Sequence, residues 1–314
     1  MPSVKWNPSL KLIVSDLDET IADVYKPAEK EMIKELEKLL KEGKVIFIIT
    51  GQGIEGLEER VTSRIKKELR KKILLGTCLG AEVWGFDENG KLLEKPFYSL
   101  YESFSEAQKK KWRTLIQQLI KEFDLEVFPT MPRDDYRKKT KNPRAIMLAD
   151  RGPQITFEVV NGTYLTEEQA KELNVPETNG HYDFRIPIMK RAEKLFKENK
   201  IPINPHLAGV FALNFSMKGA SKTKAVRYVI ENKKLLSSLG LKNLKNEDME
   251  IWGDKFSIIR GGVDSQVSIA LPKTVRSITF RKENPKEFPK GYNIVIWDGK
   301  KELHEGLLEF LKSR

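Results

Sequence analysis

The chain has a single cysteine, Cys78, among its 314 residues. That scarcity excludes an internal disulfide framework and any cysteine-rich zinc site. With no base or nucleophile partner legible near it, Cys78 reads as a small buried hydrophobe. Histidine is almost as rare: His181, His206 and His304 are scattered without metal-ligand spacing, and each reads as structural. There is no apolar run of the roughly 18 residues that a membrane-spanning helix needs. The opening MPSVKWNPSLK lacks the apolar stretch of a secretory signal, so a soluble cytoplasmic protein with no membrane partner is expected. Internal repeats, low-complexity tracts and long flexible linkers are also missing.

Charge is plentiful and uneven in sign, with a net +11. Such an excess invites a nucleic-acid reading, but its distribution argues against one. Lys and Arg interleave with Glu in EKEMIKELEKLLKEGK and ELRKK, as on solvated amphipathic helix faces. The densest basic cluster, RDDYRKKTKNPR (133–144), holds a turn-forming Asn-Pro and reads as an exposed loop. A positive excess also suits small anionic substrates.

Hydrophobic patterning gives alternating strands and helices, an interruption, and then the alternation again. Strands are predicted at 10–16, 44–50 and 73–79, helices at 27–42 and 54–72, and a hairpin in GAEVWGFDENGKLLEK. Segments of this length in this order imply a doubly wound, parallel α/β sheet with right-handed crossovers. From about 93 to 217 the pattern changes to short strands mixed with helices near 103–123 and 188–199. Beyond it come a helix at 221–236, strands at 249–253, 266–271 and 276–280, and a last strand and helix within 293–312. The expected organisation is a core of 1–92 and 218–314, split by an α+β domain at 93–217.

Four stretches carry chemistry. In LKLIVSDLDET a buried strand delivers Asp16 and Asp18 at its C-terminal end, the edge where open α/β sheets build their sites. Two carboxylates that close can hold a metal, or divide the work of nucleophile and proton donor. In KVIFIITGQ, Thr50 followed by Gly51 ends a second strand, where a hydroxyl and backbone N–H groups can bind phosphate oxygens. In FALNFSMKGASKTKAVRYVI, Lys222 opens a helix, a position electrostatically wrong for a cation unless an anion site lies before it. In MEIWGDKFSIIRGGVDSQV a strand delivers Asp254, and a glycine pair precedes Asp264. Acidic groups at a second strand end would complete an oxygen-rich site for a hard cation such as Mg²⁺.

Taken in order, these four stretches resemble the motifs of the haloacid dehalogenase superfamily of phosphotransferases. The interruption falls between the second and third, an arrangement similar to the class IIB members: Cof-type phosphatases, sucrose-phosphate phosphatases and phosphomannomutases. The resemblance implies a Rossmann-like core with an inserted α+β cap that supplies substrate specificity. It implies Asp16 as nucleophile, forming an aspartyl-phosphate, and Asp18 as acid and base, with its backbone carbonyl on the metal. Thr50, Gly51 and Lys222 would hold phosphoryl oxygens, and Asp16, Asp254 and Asp264 would carry Mg²⁺. The expected reaction is Mg²⁺-dependent hydrolysis of a small phosphorylated metabolite, in particular a sugar phosphate. The alternatives are a phosphohexomutase and a non-catalytic RNA-binding scaffold, the latter disfavoured because both Asp16 and Asp18 are kept. Two departures stand out. Glu19 replaces the Gly or Asn of many relatives, with its side chain expected to point away from the site. Gln52 stands where Cof-type enzymes often have Arg, and it cannot hold an anion as a guanidinium can. Arg133, Arg137, Lys138, Arg144 and Arg185 are the cap candidates for a distal anionic group.

Overall fold

A computed structural model describes residues 3–24, 26–178 and 180–314. The chain divides into two compact units, one formed by Met1–Ser99 with Ala220–Arg314 and the other by Leu100–Gly219. The first unit begins with β1 (Leu12–Ser15), α1 (Lys30–Lys41), β2 (Val45–Ile49), α2 (Ile54–Arg60), α3 (Lys67–Arg70), β3 (Ile73–Thr77), β4 (Glu82–Trp84) and β5 (Tyr98–Ser99). The second contains α4 (Glu106–Glu122), β6 (Glu126–Pro129), α5 (Arg133–Lys139), β7 (Ala145–Asp150), β8 (Gln154–Glu158), α6 (Glu167–Glu172), β9 (Glu177–Thr178), β10 (His181–Tyr182), α7 (Arg185–Glu198), β11 (Ile203–Ala208) and β12 (Ala212–Met217). The chain then returns to the first unit with α8 (Lys222–Glu231), α9 (Lys233–Ser238), β13 (Met249–Gly253), α10 (Ser265–Ala270), β14 (Arg276–Thr279), β15 (Ile294–Ile296) and α11 (Leu303–Lys312). The division falls slightly later than 92/93 because β5 pairs with β4 and so stays with the first unit.

The first unit is built on an eight-stranded sheet ordered β15-β14-β13-β1-β2-β3-β4-β5. All pairings from β15 to β3 are parallel, and β4 and β5 run antiparallel at one edge. Side-chain alternation in the inner strands explains the layering. Ile13, Ile46, Ile48, Leu75 and Trp252 enter one apolar layer, packed with residues of α1 and α11. Leu12, Val14, Phe47, Ile49 and Ile251 enter the opposite layer, packed with residues of α8, α9 and α10. With both faces covered, β1 and β2 have no room for polar alternation, and all nine of their residues are buried. Helix α1 buries Met32, Ile33, Leu36, Leu39 and Leu40, the spacing of one helical face, and ends at Gly43, whose φ of +84° suits only glycine well.

The second unit has a five-stranded sheet ordered β11-β12-β8-β7-β6. Ile155, Phe157, Leu213 and Phe215 pack with Trp112 and Leu119 of α4 and Phe196 of α7. Helix α4 starts with a capping box between Ser105 and Gln108. Among the described residues, no helix is long and apolar enough to cross a membrane.

The structure corrects several sequence expectations. Residues 266–271 form helix α10 and the coil after it, not a strand. A short apolar run does not declare its period, and here the apolar residues buried are Val267 and Leu271, four apart, with Ser268 buried beside them. The cluster read as a loop at 133–144 contains helix α5, anchored by buried Tyr136. The single helix predicted over 54–72 breaks into α2, a 3₁₀ turn at Thr62–Arg64 and α3, with Val61, Thr62 and Ile65 buried at the break. The helix predicted over 221–236 is interrupted at Asn232, whose side chain caps α9 by accepting the Leu235 N–H.

Phe47 lies fully buried in the middle of β2, and its truncation leaves a cavity in the layer beside α8. We expect Phe47→Ala to destabilise the protein by about 3–5 kcal/mol, read as a lowered urea midpoint in circular dichroism.

Candidate active site

Four of the segments singled out in the sequence meet at the C-terminal edge of the parallel sheet. β1 lies between β13 and β2, with Ser15 opposite Trp252 on one side and Ile48 on the other. The first residues past the three strands, Asp16, Asp254 and Thr50, thus emerge at one edge, with Asp16 one step earlier in register than the other two. The Asp16 N–H donates to Trp252 O at 2.9 Å, which continues the ladder one step past β1.

Lys222 reaches this edge from the first turn of α8. Ser221 caps the helix by accepting the Thr223 N–H, and the lysine side chain is 1 % exposed. Its Nζ donates to Asp16 Oδ1 at 2.7 Å and to Asp264 Oδ1 at 2.8 Å. Burial works against the charge on Lys222, but the two carboxylates outweigh it and hold its pKa above the ordinary lysine value. The other oxygen of Asp264 accepts the backbone N–H groups of Asp254 and Lys255, at 3.1 and 3.0 Å. Asp264 thus has both oxygens engaged by protein donors and orients the Asp254 loop.

Asp16, Asp254 and Asp264 each present an oxygen within 4.8 Å of the others. Burial pushes the Asp254 carboxyl up to about 6, with negative Asp264 adding to the shift and Arg281 opposing it. Burial likewise raises Asp16, against the pull of Lys222. Arg281 follows β14 and donates through Nε and Nη2 to Asp254 Oδ2, at 3.1 and 2.8 Å, and its Nη2 also contacts Glu19. Around the cluster four carboxylates (Asp16, Glu19, Asp254 and Asp264) face two cations (Lys222 and Arg281), which leaves two negative charges. A surplus of that size on an all-oxygen donor set fits a hard divalent cation. Asp16 and Asp254 are the residues to hold it, because each retains an oxygen that accepts no hydrogen bond from the described residues.

Asp18 has a different setting. Its carboxylate accepts from Arg60 Nη1 at 2.7 Å and from Gln52 Nε2 at 3.1 Å, outside the three-carboxylate cluster. Thr50 is buried, and its hydroxyl accepts the Gln52 N–H at 3.3 Å. Gly51 lies between them in the turn after β2. In the second unit, Arg185 is buried in a forked pair with Asp183, Arg144 donates to Phe123 O, and Lys138 pairs with Asp135. Arg133 and Arg137 lie over the Phe211 ring at 4.6 and 5.9 Å.

Sequence reasoning missed three participants. Glu19 does not point away from the site: it shares Arg281 with Asp254, because its backbone enters the left-handed region at φ 62°. Arg281 itself follows a buried strand, as Asp16 and Asp254 do, and that pattern was a usable signal. Arg60 occupies the buried side of α2 three residues after Leu57, where a charged residue demands a partner.

No protein-family model matches the sequence, and no curated protein does. Solved structures do match. A haloacid dehalogenase-like hydrolase from Bacteroides thetaiotaomicron aligns over 97 % of this chain and 99 % of its own, at 14 % identity and a TM-score of 0.57. The C-terminal domain of trehalose-6-phosphate phosphatase from C. albicans aligns over 97 % and 92 %, at 12 % identity and a TM-score of 0.57. A trehalose-6-phosphate phosphatase related protein aligns over 96 % of both chains, at 12 % identity and a TM-score of 0.53. The fold is that of the haloacid dehalogenase-like hydrolases.

Asp16 and Asp254 bind protons more tightly in the folded than in the unfolded protein. Their stabilising contribution is therefore present at low pH and lost as pH rises through about 6 for Asp254. A divalent cation should replace those protons. We expect millimolar divalent cation to raise the melting temperature of the chelator-treated protein clearly at pH 7.5 and little at pH 5. Asp254→Asn should abolish the gain in differential scanning fluorimetry.

Proposed function

We propose that the protein is a Mg²⁺-dependent phosphatase that hydrolyses a small phosphorylated metabolite through a phosphorylated Asp16. The observation that carries this reading is Lys222, buried and bonded at once to Asp16 and Asp264 beside Asp254. A structural role alone accounts poorly for so costly a cluster, since buried ion pairs add little net stability. The sugar-phosphate expectation draws on two neighbours of the fold whose names refer to trehalose-6-phosphate phosphatase.

In this reading an Asp16 carboxylate oxygen attacks phosphorus, and the bond from phosphorus to the ester oxygen breaks. Asp18 gives its proton to the departing oxygen and then takes one from the water that cleaves the acyl-phosphate bond. Lys222 and Thr50, with the backbone at Gly51, bind phosphoryl oxygens and stabilise the charge that spreads over them in the transition state. Asp16 and Asp254, the latter's loop oriented by Asp264, would hold Mg²⁺, which when bound would supply charge neutralisation at the reacting phosphoryl group. Uncatalysed phosphate-monoester hydrolysis is among the slowest reactions known, so stabilisation of this charge dominates the requirement.

The test is phosphate release from 4-nitrophenyl phosphate and a panel of sugar phosphates with Mg²⁺. Asp16→Asn should lower turnover by at least about 10³-fold, with the fold intact by circular dichroism. If the native protein releases phosphate from no ester with Mg²⁺, Mn²⁺ or Co²⁺, this reading is wrong.

A further inference from the structure

Asp18 is placed by a device that none of the phosphate-binding residues explains. Arg60, the last residue of α2, is 5 % exposed, and each of its side-chain nitrogens has an acceptor. Nη1 donates to Asp18 Oδ1 at 2.7 Å, Nη2 to Asp23 O at 2.8 Å and Nε to Lys26 O at 2.8 Å. The backbone completes the link, with Ala28 N–H donating to Arg60 O at 2.9 Å. One guanidinium thus ties a carboxylate and two carbonyls of the segment after β1 to the end of α2. A lysine could not span these three acceptors, because its donors radiate from a single atom.

The second donor to Asp18 has an independent origin. Gln52 comes from the turn after β2, and its Nε2 contacts both Asp18 oxygens, at 3.3 and 3.1 Å. The same residue donates its N–H to Thr50 Oγ1 and accepts the Cys78 N–H at 2.8 Å, so it is itself fixed. The Asp18 side chain is still 31 % exposed, so the clamp holds it without sealing it from an approaching ligand. Asp18 also lies second in a tight turn opened by Leu17, whose O accepts the Ile21 and Ala22 N–H groups at 2.9 and 3.1 Å. Without an external tie, a partly exposed carboxylate on such a turn samples several rotamers.

We propose that Arg60 is a positioning residue that, together with Gln52, fixes the acid/base carboxylate Asp18 for proton transfer at the scissile oxygen. The inference rests on the phosphatase reading above. Gln52, where Cof-type relatives often have arginine, then serves Asp18 and not an anion. Arg60 likewise acts through Asp18 and not on the phosphoryl group.

The two residues act through Asp18, so their effects must vanish when Asp18 no longer works. The experiment is a set of double-mutant cycles on full-length protein with 4-nitrophenyl phosphate and Mg²⁺, with single-turnover measurement for the slow variants. Arg60→Met should lower kcat by about 10²-fold while KM changes less than about twofold. Gln52→Leu should lower kcat by about tenfold. In an Asp18→Asn background, each substitution should cost less than about threefold. Arg60→Lys, which keeps the charge but not the three-way geometry, should fall between the native protein and Arg60→Met. If Arg60→Met does not reach the native circular dichroism spectrum, Gln52→Leu and Arg60→Lys run the same cycle. Equal losses in the native and Asp18→Asn backgrounds overturn the proposal and leave Arg60 as a support of the turn. A native protein inactive on every phosphate ester overturns the phosphatase reading, and this proposal with it.

Discussion

The Lys222 ammonium between Asp16 and Asp264 is the interaction on which the rest of the site depends. It joins residues 206 and 42 positions apart in sequence, and all three groups are buried or nearly so. Removal of these charges from water is expensive, and their mutual attraction returns roughly what desolvation takes. Loss of one member is another matter, since an unpaired buried charge typically costs about 3–5 kcal/mol. The triad therefore does little to stabilise the native state over a well-packed apolar alternative. What it does is specify an arrangement: only one register of β1 against β13, and one placement of the α8 N-terminus, lets all three groups meet.

That placement is enforced by backbone geometry that the sheet alone does not supply. Cys78, Leu79 and Gly80 follow β3 with consecutive positive φ values of 50°, 59° and 85°. Left-handed backbone costs an ordinary residue about 1–2 kcal/mol, so two such residues in succession need compensation. It comes from two bonds to the turn after β2: Leu79 N–H to Thr50 O at 2.9 Å and Cys78 N–H to Gln52 O at 2.8 Å. Gly80 has its own reason, because a Cβ there would stand 2.6 Å from Ser221 O. The missing side chain lets the cap of α8 sit directly against this turn, so the same few residues fix both the Thr50 loop and the start of the lysine helix. Cys78 is buried in this turn, in keeping with the apolar role its sequence context suggested.

The parts of this arrangement that could be read from sequence share one property: they are local. Runs such as Leu12–Ser15 and Val45–Ile49 declare a buried strand within a few residues, and Asp16, Thr50 and Asp254 announce themselves by standing where such a run stops. Lys222 was legible because a cation at a helix start contradicts the helix dipole. By contrast, Arg281 finds Asp254 from 27 positions away and Glu19 from 262, and Arg60 finds Asp18 from 42. Nothing within any of those segments marks the partner. Helix α10 failed for a related reason, since six residues with three buried positions fit a strand or a helix until the layer they pack against is known.

The charges around the site also constrain the order in which it can work. Asp18 is balanced by Arg60, and Asp254 shares Arg281 with Glu19, so the uncompensated charge gathers on the cluster that Lys222 only partly neutralises. A phosphate dianion brought to that edge meets like charge in a region of low polarity, where repulsion between unit charges a few ångströms apart is worth several kcal/mol even at an effective dielectric of about 20. The net charge of +11 on the whole chain does not remove this barrier, because exposed lysines beyond roughly 8 Å are screened at physiological ionic strength. Neutralisation of the carboxylates must therefore precede or accompany arrival of the phosphoryl group. On the proposed phosphatase reading, the surplus of negative charge that makes the cluster costly by itself is the same feature that would make substrate binding conditional on a bound cation.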